Sequence, residues 1–390
     1  MPGVRRIYLD NAATTRPARA VVERMAEVQR ELFGNPSSAH AFGPPAKRAL
    51  DDAREFLRGS LGAARLVFTS GGSEADLLGV VGAAAARPPG RVLMAKSDHP
   101  AILACGPLLR RHRHQVSELP VTRDGDIAPE TLFDALGADV RVVALMYGHN
   151  ELGTLCELRE LVELTRRTAP DAHVHVDVVQ TYGKLPFDLD AFDVDSAAVS
   201  GHKFHGPRGA GCLALSSTAD VAPVQPAGGQ EAGLRGGTEN VAGAVGLAVA
   251  AEAALTHRAQ TAAHTAMLAD RVFAAVRDAV PAAERLGHPE RRLPHVLSMR
   301  LPDVVGETLM LRCDARGVAF SIGSACHGGK DAENPVLAAI GLDRRAAREV
   351  VRLSFSGETT VEEADAAAAI VADEARRLGA EAPPAGAKRR

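Results

Sequence analysis

Lysine is scarce in this chain of 390 residues: only Lys47, Lys96, Lys184, Lys203, Lys330 and Lys388 occur, and arginine supplies nearly all the positive charge. Chemistry that needs a primary amine therefore has few candidates. The five cysteines, at 105, 156, 212, 313 and 326, are odd in number and form no C-x-x-C. Neither a disulfide framework nor a thiolate metal site is expected. Excess charge of one sign is missing too: the formal net charge is -3, so no polyanion partner is indicated and direct nucleic-acid binding is not expected. The longest apolar run, VAGAVGLAVAA, has eleven residues, far fewer than a bilayer span needs. The opening stretch MPGVRRIYLDNAATT lacks the apolar run of a secretory signal, so we expect a cytoplasmic, reduced protein. What remains is ordinary for a globular chain: 46% apolar and 24% charged residues, with ample length for two or three domains.

Short β-type runs alternate with helical stretches from about residue 60 to 216. The strand candidates are 65–69, 91–96, 140–147, 173–178, 194–200 and 211–216, and PAILACGPLLRRHRHQ and LRELVELTRRT read as helices between them. This rhythm predicts an α/β fold with a mostly parallel sheet covered by helices on both faces. Residues 240–280 read as a long Ala-rich helical region. Strands at HVLSMRL and VVRLSF, with helices at ETLMLRCDARG and VEEADAAAAIVADEARRL, suggest a smaller α+β unit. The end, GAEAPPAGAKRR, has the composition of a disordered tail.

In open parallel sheets, ligands bind beyond the carboxyl ends of the strands. Five successive candidate strands deliver polar residues to that rim: the SGGSEADLLG turn, His99, Asn150, Asp177 with Gln180, and Lys203 within GHKFHGPRG. Such convergence makes a site probable on chemistry alone. TSGGSEADLLG places backbone N–H groups at a helix start where an oxyanion could sit, or it is a plain turn capped by Ser70 or Ser73. It matches neither nucleotide-type phosphate loop, which speaks against a nucleotide-dependent oxidoreductase. Lys203 is either a desolvated nucleophile toward a carbonyl or an exposed loop lysine; the flanking Ser200, Gly201 and His202 favour the former. Asp177 lies in an apolar strand and needs a partner, either a pyridinium N–H or a helix end or arginine. His99 precedes Pro100 and either faces a ligand plane or caps a helix. A phosphate cradle, a Schiff-base lysine, a carboxylate for a ring nitrogen and an aromatic cover together match the requirements of pyridoxal 5'-phosphate.

The landmarks YLDNAATT, FGNPSSAH, FTSGGSEAD, DHPAI, HNELGT, HVDVVQ, SGHKFHGPRG, RGGTEN and GSAC occur in order over nearly the whole chain. In them the chain resembles the cysteine desulfurases of the nitrogen-fixation and iron–sulfur-cluster type, within aminotransferase class V and fold-type I. The resemblance implies a large cofactor-binding domain over 17–250 with a mostly parallel seven-stranded sheet. It implies a smaller domain from 1–16 and 251–379, with a disordered tail over 380–390. It implies that Lys203 holds pyridoxal phosphate, Asp177 pairs the ring nitrogen, Gln180 meets the ring hydroxyl and His99 stacks on the ring and moves protons. Gly72, Ser73, Ser200 and His202 would hold the phosphate. Thr238 would reach the phosphate in the other subunit of a homodimer. Asn150 and Arg352 would bind the carboxylate of L-cysteine.

Cys326, in the small-residue stretch FSIGSACHGGKDAENP, would be the nucleophile. It would take the substrate sulfur as a persulfide, release L-alanine and pass the sulfur to an acceptor protein or small thiol. Protonated His327 beside it would lower the thiol pKa. No metal is implied. A class V lyase or aminotransferase acting on another amino acid or thioether is the alternative, and a non-catalytic protein that kept the fold is a third reading. Four stretches depart from the pattern: His149 replaces an asparagine, Ala232 an arginine, Ile322 a small polar residue, and Gly357 with Glu358 stands where an arginine is common.

Overall fold

The computed structural model describes residues 6–225, 228–323 and 334–381. Cys326 and most of the expected tail lie outside them; the last helix runs two residues into that tail, to Glu381. Thirteen strands occur among the described residues. They are β1 (Ile7–Tyr8), β2 (Arg65–Thr69), β3 (Arg91–Ala95), β4 (Gln115–Leu119), β5 (Val140–Met146), β6 (His173–Asp177) and β7 (Ser196–Ser200). The remainder are β8 (Gly211–Leu215), β9 (Glu284–Arg285), β10 (Val296–Arg300), β11 (Val318–Ala319), β12 (Ser321–Ile322) and β13 (Val350–Ser354).

A seven-stranded sheet runs β2-β8-β7-β6-β5-β3-β4. β4, β3, β5, β6 and β7 are mutually parallel, and β8 lies antiparallel to both its neighbours. β3, β5 and β8 are apolar on both faces, as strands covered by helices require. Alternation splits the sheet's apolar side chains into two cores. Leu93, Val143, Leu145, Val174 and Val176 join one, with Leu161 and Leu247 from the covering helices. Val92, Met94, Val142 and Ala144 join the other, with Leu78 and Ile102. Each such side chain, fully buried, contributes roughly 1.5–3 kcal/mol.

β4 is an edge strand absent from the sequence expectation. The stretch read as one helix over 100–115 is two short ones, Pro100–Leu103 and Gly106–Arg111, and Gln115 already begins β4. Gly106–Pro107 explains the break, since proline offers no N–H to continue the helix before it. The Ala-rich region is likewise two helices, Val241–Thr256 and Arg258–Ala279.

A four-stranded antiparallel sheet, β12-β13-β10-β9, forms the second centre of packing. Its core combines Leu297, Met299, Val351 and Leu353 with Leu268, Val272 and Val276 from one helix and Ala364, Ala368 and Val371 from the last. Ile7 and Leu9 from the start of the chain belong to this core, because β1 pairs parallel with β11. No helix among the described residues is long and apolar enough to cross a membrane.

Candidate active site

The carboxyl ends of β2, β3, β5, β6 and β7 converge on one cavity of roughly 190 Å³. It is lined by Gly72, Ser73, His99, Asn150, Asp177, Gln180, Ser200, His202 and Lys203, together with Asp76, Met146 and Val179. Local chemistry fixes each entry. After β3, the Asp98 carboxylate accepts the Ala95 N–H at 2.8 Å and closes the turn. His99 then caps the helix Pro100–Leu103, its Nδ1 accepting from the Ala101 N–H at 3.1 Å. The two sequence alternatives for His99 thus hold together: one edge of the ring caps, and the ring lines the cavity. With Nδ1 an acceptor, the proton of neutral His99 sits on Nε2.

Asp177 ends β6 and is 3% exposed. One oxygen accepts the Val179 N–H at 2.8 Å. Burial, then the neighbouring Asp76 carboxyl, pushes its pKa up to about 7, against the opposing pull of His99. Lys203 follows β7 on a tight turn, Gly201–Lys203, and its Nζ donates to Ala12 O and Ala13 O, both at 2.8 Å. Lys184 donates to Gln180 O at 3.3 Å, and burial followed by Lys203 lowers its pKa to about 7. His202 is pushed down to about 4 by burial and then by Lys203.

Two further cavities adjoin. One of about 370 Å³ shares Gly72, Ser73, Ser200 and His202 and adds Thr14, Ser70, Gly71, Glu74, Arg208 and Gly209. Gly71 sits there at φ 155° and ψ -174°, a conformation that essentially only glycine adopts. A Cβ on Gly72 would come within 2.8 Å of Val179 Cγ2. The other cavity, about 600 Å³, opens beyond Lys203 and is bordered by Asn11, Lys184, Ala254, His295 and Phe355.

Arg352 borders none of these cavities but reaches their edge from β13. It is 7% exposed, donates to Asn150 O at 3.0 Å and pairs with Asp10 at 2.8 Å, and its Nε has no partner. Thr238 is exposed on the approach to the helix Val241–Thr256 and lines none of these three cavities. Cys326 lies outside the described residues. The chain on either side of it is anchored near the site. Gly323 N–H donates to Val350 O at 3.2 Å, and Asn334 donates to the Glu151 carboxylate at 2.7 Å. The other four cysteines are poor nucleophiles. Cys105 and Cys313 are pushed up to about 12, and Cys156 and Cys212 are also raised, in each case chiefly by burial.

The departures have local accounts in three cases. His149 is buried; its Nδ1 accepts from the N–H groups of Glu151 (3.1 Å) and Leu152 (3.3 Å), and Nε2 donates to Ser97 O at 2.9 Å. It thereby shapes the turn that presents Asn150. Ile322 pairs with Val351 and packs on the second core. Gly357 and Glu358 border the larger cavity, where a Cβ on Gly357 would approach Thr261 Oγ1 to 3.2 Å. Nothing in the structure explains Ala232, which is exposed with φ 54°.

Sequence reasoning missed a buried polar chain behind the cavity. Asp76 Oδ1 lies 3.2 Å from His175 Nε2, His175 Nδ1 lies 2.8 Å from Ser196 Oγ, and Ser196 Oγ lies 2.7 Å from His173 Nε2. The signal was present in HVHVD: with side chains alternating along a strand, His173, His175 and Asp177 share one face of β6. Among the described residues no cluster suited to a metal ion occurs.

A profile of the aminotransferase class-V family matches residues 7–367. The chain is 38% identical to the putative cysteine desulfurase IscS 1 of Bacillus subtilis (strain 168), over 96% of this chain and 99% of that protein. It is 37% identical to the cysteine desulfurase NifS of Azotobacter vinelandii, over 92% and 90% of the two chains. The solved structure of a NifS-like protein superimposes with a TM-score of 0.87 at 32% identity, covering 94% of this chain and 98% of that one.

Proposed function

The chain belongs to the aminotransferase class-V family, and from that premise we propose that it is a pyridoxal-phosphate-dependent cysteine desulfurase that draws sulfur from L-cysteine onto Cys326 and releases L-alanine. The observation that carries the proposal is the meeting of Lys203, Asp177, His99 and Asn150, from four separate strand ends, around one cavity.

The residues fit the cofactor. Asp177 is a buried carboxylate facing the cavity with no cationic side chain in a salt bridge to it among the described residues, and a ring N–H⁺ supplies that partner. Gly71 is held at a φ that side chains rarely adopt and Gly72 packs too closely for one, and the cavity beside Ser73, Ser200 and His202 would take phosphate oxygens. Lys203 would hold the group through Nζ. When bound, pyridoxal phosphate supplies an electron sink for the charge left on the substrate carbon.

The chain's own residues do the rest. The Lys203 amine is the base for the Cα proton, and His99 Nε2, the ring nitrogen not used in capping, holds or moves a proton on the opposite side. Arg352 and Asn150 bind the substrate carboxylate, and the unpartnered Arg352 Nε–H supports that role. The Cys326 thiolate attacks the substrate sulfur. An S–S bond forms as the Cβ–S bond breaks, the electron pair stays with the carbon skeleton, and protonation there completes alanine. An acceptor thiol, from a protein or small molecule, then takes the outer sulfur. Gly323, the last described residue before the stretch that holds Cys326, is hydrogen-bonded to Val350 on the strand that carries Arg352. Thr238, which is exposed, would complete the phosphate site of a second copy in a homodimer.

Borohydride reduction followed by peptide mapping tests this reading. The expected result is a yellow protein that bleaches on reduction and then carries one pyridoxyl group on the peptide containing Lys203. A protein that stays colourless and unlabelled after incubation with pyridoxal phosphate would sink it.

A further inference from the structure

Gln180 lines the 190 Å³ cavity, and its amide is held from behind by two distant parts of the chain. Its Nε2 donates to Ala12 O at 2.9 Å, and its Oε1 lies 3.3 Å from His295 Nε2. Gln180 and His295 are each 2% exposed, and the other ring nitrogen of His295, Nδ1, is buried without a partner.

These contacts settle where the protons are. Ala12 O can only accept, so the NH₂ group of Gln180 faces it. The amide oxygen then faces His295, and Nε2 is the protonated nitrogen of a neutral imidazole. Its Nδ1 keeps a bare lone pair. In the flipped amide, Oε1 would oppose Ala12 O. His295 Nε2 would have to accept, and Nδ1 would carry a buried N–H with no acceptor. Both ends of the network therefore reject the flip. Protonation of His295 would create the same orphaned N–H. Lys184, Arg352 and Lys203 stand around the ring, and burial followed by these cations holds its pKa well below the ordinary histidine value.

Building on the cofactor reading above, we propose that His295 is a positioning residue that locks the Gln180 amide with its NH₂ edge toward the cavity, so that the pyridoxal ring oxygen meets an N–H donor and never a carbonyl. One amide hydrogen serves Ala12 O, and the second would be the donor to the ring oxygen. A donor at the ring oxygen favours its ionised form. His295 itself touches neither cofactor nor substrate.

The test is a pH titration of the cofactor's visible absorption in the holoenzyme, with circular dichroism to confirm the fold. His295→Leu and His295→Met remove the donor, and either serves if the other fails to fold. His295→Asn keeps an amide donor. The donor-free variants should move the titration midpoint upward by about one pH unit. His295→Asn should restore it, and Gln180→Leu should move it at least as far as the His295 variants do. The double variant should add nothing further. If Gln180→Leu moves the midpoint and the donor-free His295 variants do not, the positioning role is overturned while the cofactor reading stands. If neither moves it in a protein that holds its cofactor on Lys203, Gln180 does not face the ring, and the proposal falls with that assignment.

Discussion

The two sheets contribute to the site in different ways. The seven-stranded sheet delivers side chains from five strand ends to one cavity. The four-stranded sheet carries Arg352 on β13, which lines no part of that cavity but donates to Asn150 O at its rim, and anchors the chain at Gly323, next to the segment that holds Cys326. In the first set β6 and β7 are buried throughout, and the side chains of His99, Asp177, Gln180 and Lys203 are each hydrogen-bonded. The two sides are joined by Arg352 to Asn150, Asn334 to Glu151, His295 to Gln180, Leu293 N–H to Gly153 O and the Arg291–Asp126 ion pair. On the proposed function, cofactor binding falls to the large sheet and sulfur handling to residues attached to the small one, so the two tasks should be separable. Substitutions in the large sheet should remove the cofactor, and those attached to the small sheet should spare it.

The largest effect is expected at Lys203. Lys203→Ala should lose the covalently held cofactor and lower L-cysteine turnover by about 10³-fold or more, read by borohydride trapping and alanine assay. Arg352→Lys should act on the other side of the division. The cofactor's absorption should stay as in wild type while kcat/KM for L-cysteine falls by about 10²-fold, because a lysine cannot reproduce the paired donors of the guanidinium. A shifted cofactor spectrum in Arg352→Lys would erase the division.

Asp177 gives a pH test. In the empty cavity its carboxyl is raised to about 7 by burial and by Asp76. A carboxyl whose folded pKa is raised contributes stability below its unfolded pKa of about 4, and that contribution is lost as pH rises toward 7. A bound ring N–H⁺ cancels the penalty of ionisation. The Tm gained on loading with pyridoxal phosphate should therefore grow between pH 4 and 7. In Asp177→Asn that growth should disappear. An identical pH trend in both proteins would show that Asp177 does not face the ring.

His149 should give the smallest effect. His149→Ala leaves the N–H groups of Glu151 and Leu152 without their acceptor. We expect a loss of about 1–3 kcal/mol in stability, measured by denaturant unfolding, with the cofactor still bound.

The rim was legible in the sequence because it depends on local rules. Strand-length apolar runs ended in Gly71–Gly72, His99, Asn150, Asp177 and Ser200–Lys203, and parallel sheets put such ends together. What was illegible depended on pairing across the chain. Gln180 and His295 are 115 residues apart in sequence, and no local pattern links them. The Asp76–His175–Ser196–His173 chain could be sensed in β6 by alternation, but its continuation to Asp76 and Ser196 needed the helix Gly72–Leu77 and β7 in place. The edge strand β4 was hidden because its sequence, QVSEL, follows a helical stretch without a clear stop beyond Gly106–Pro107.

Alanine formation from L-cysteine, compared between wild type and Cys326→Ala at equal cofactor loading, tests the separation of tasks most directly. The prediction is an unchanged visible cofactor band and a fall in alanine production of about 10²-fold or more. Alanine production at the wild-type rate from Cys326→Ala would contradict it, and would place sulfur removal on the cofactor side of the molecule alone.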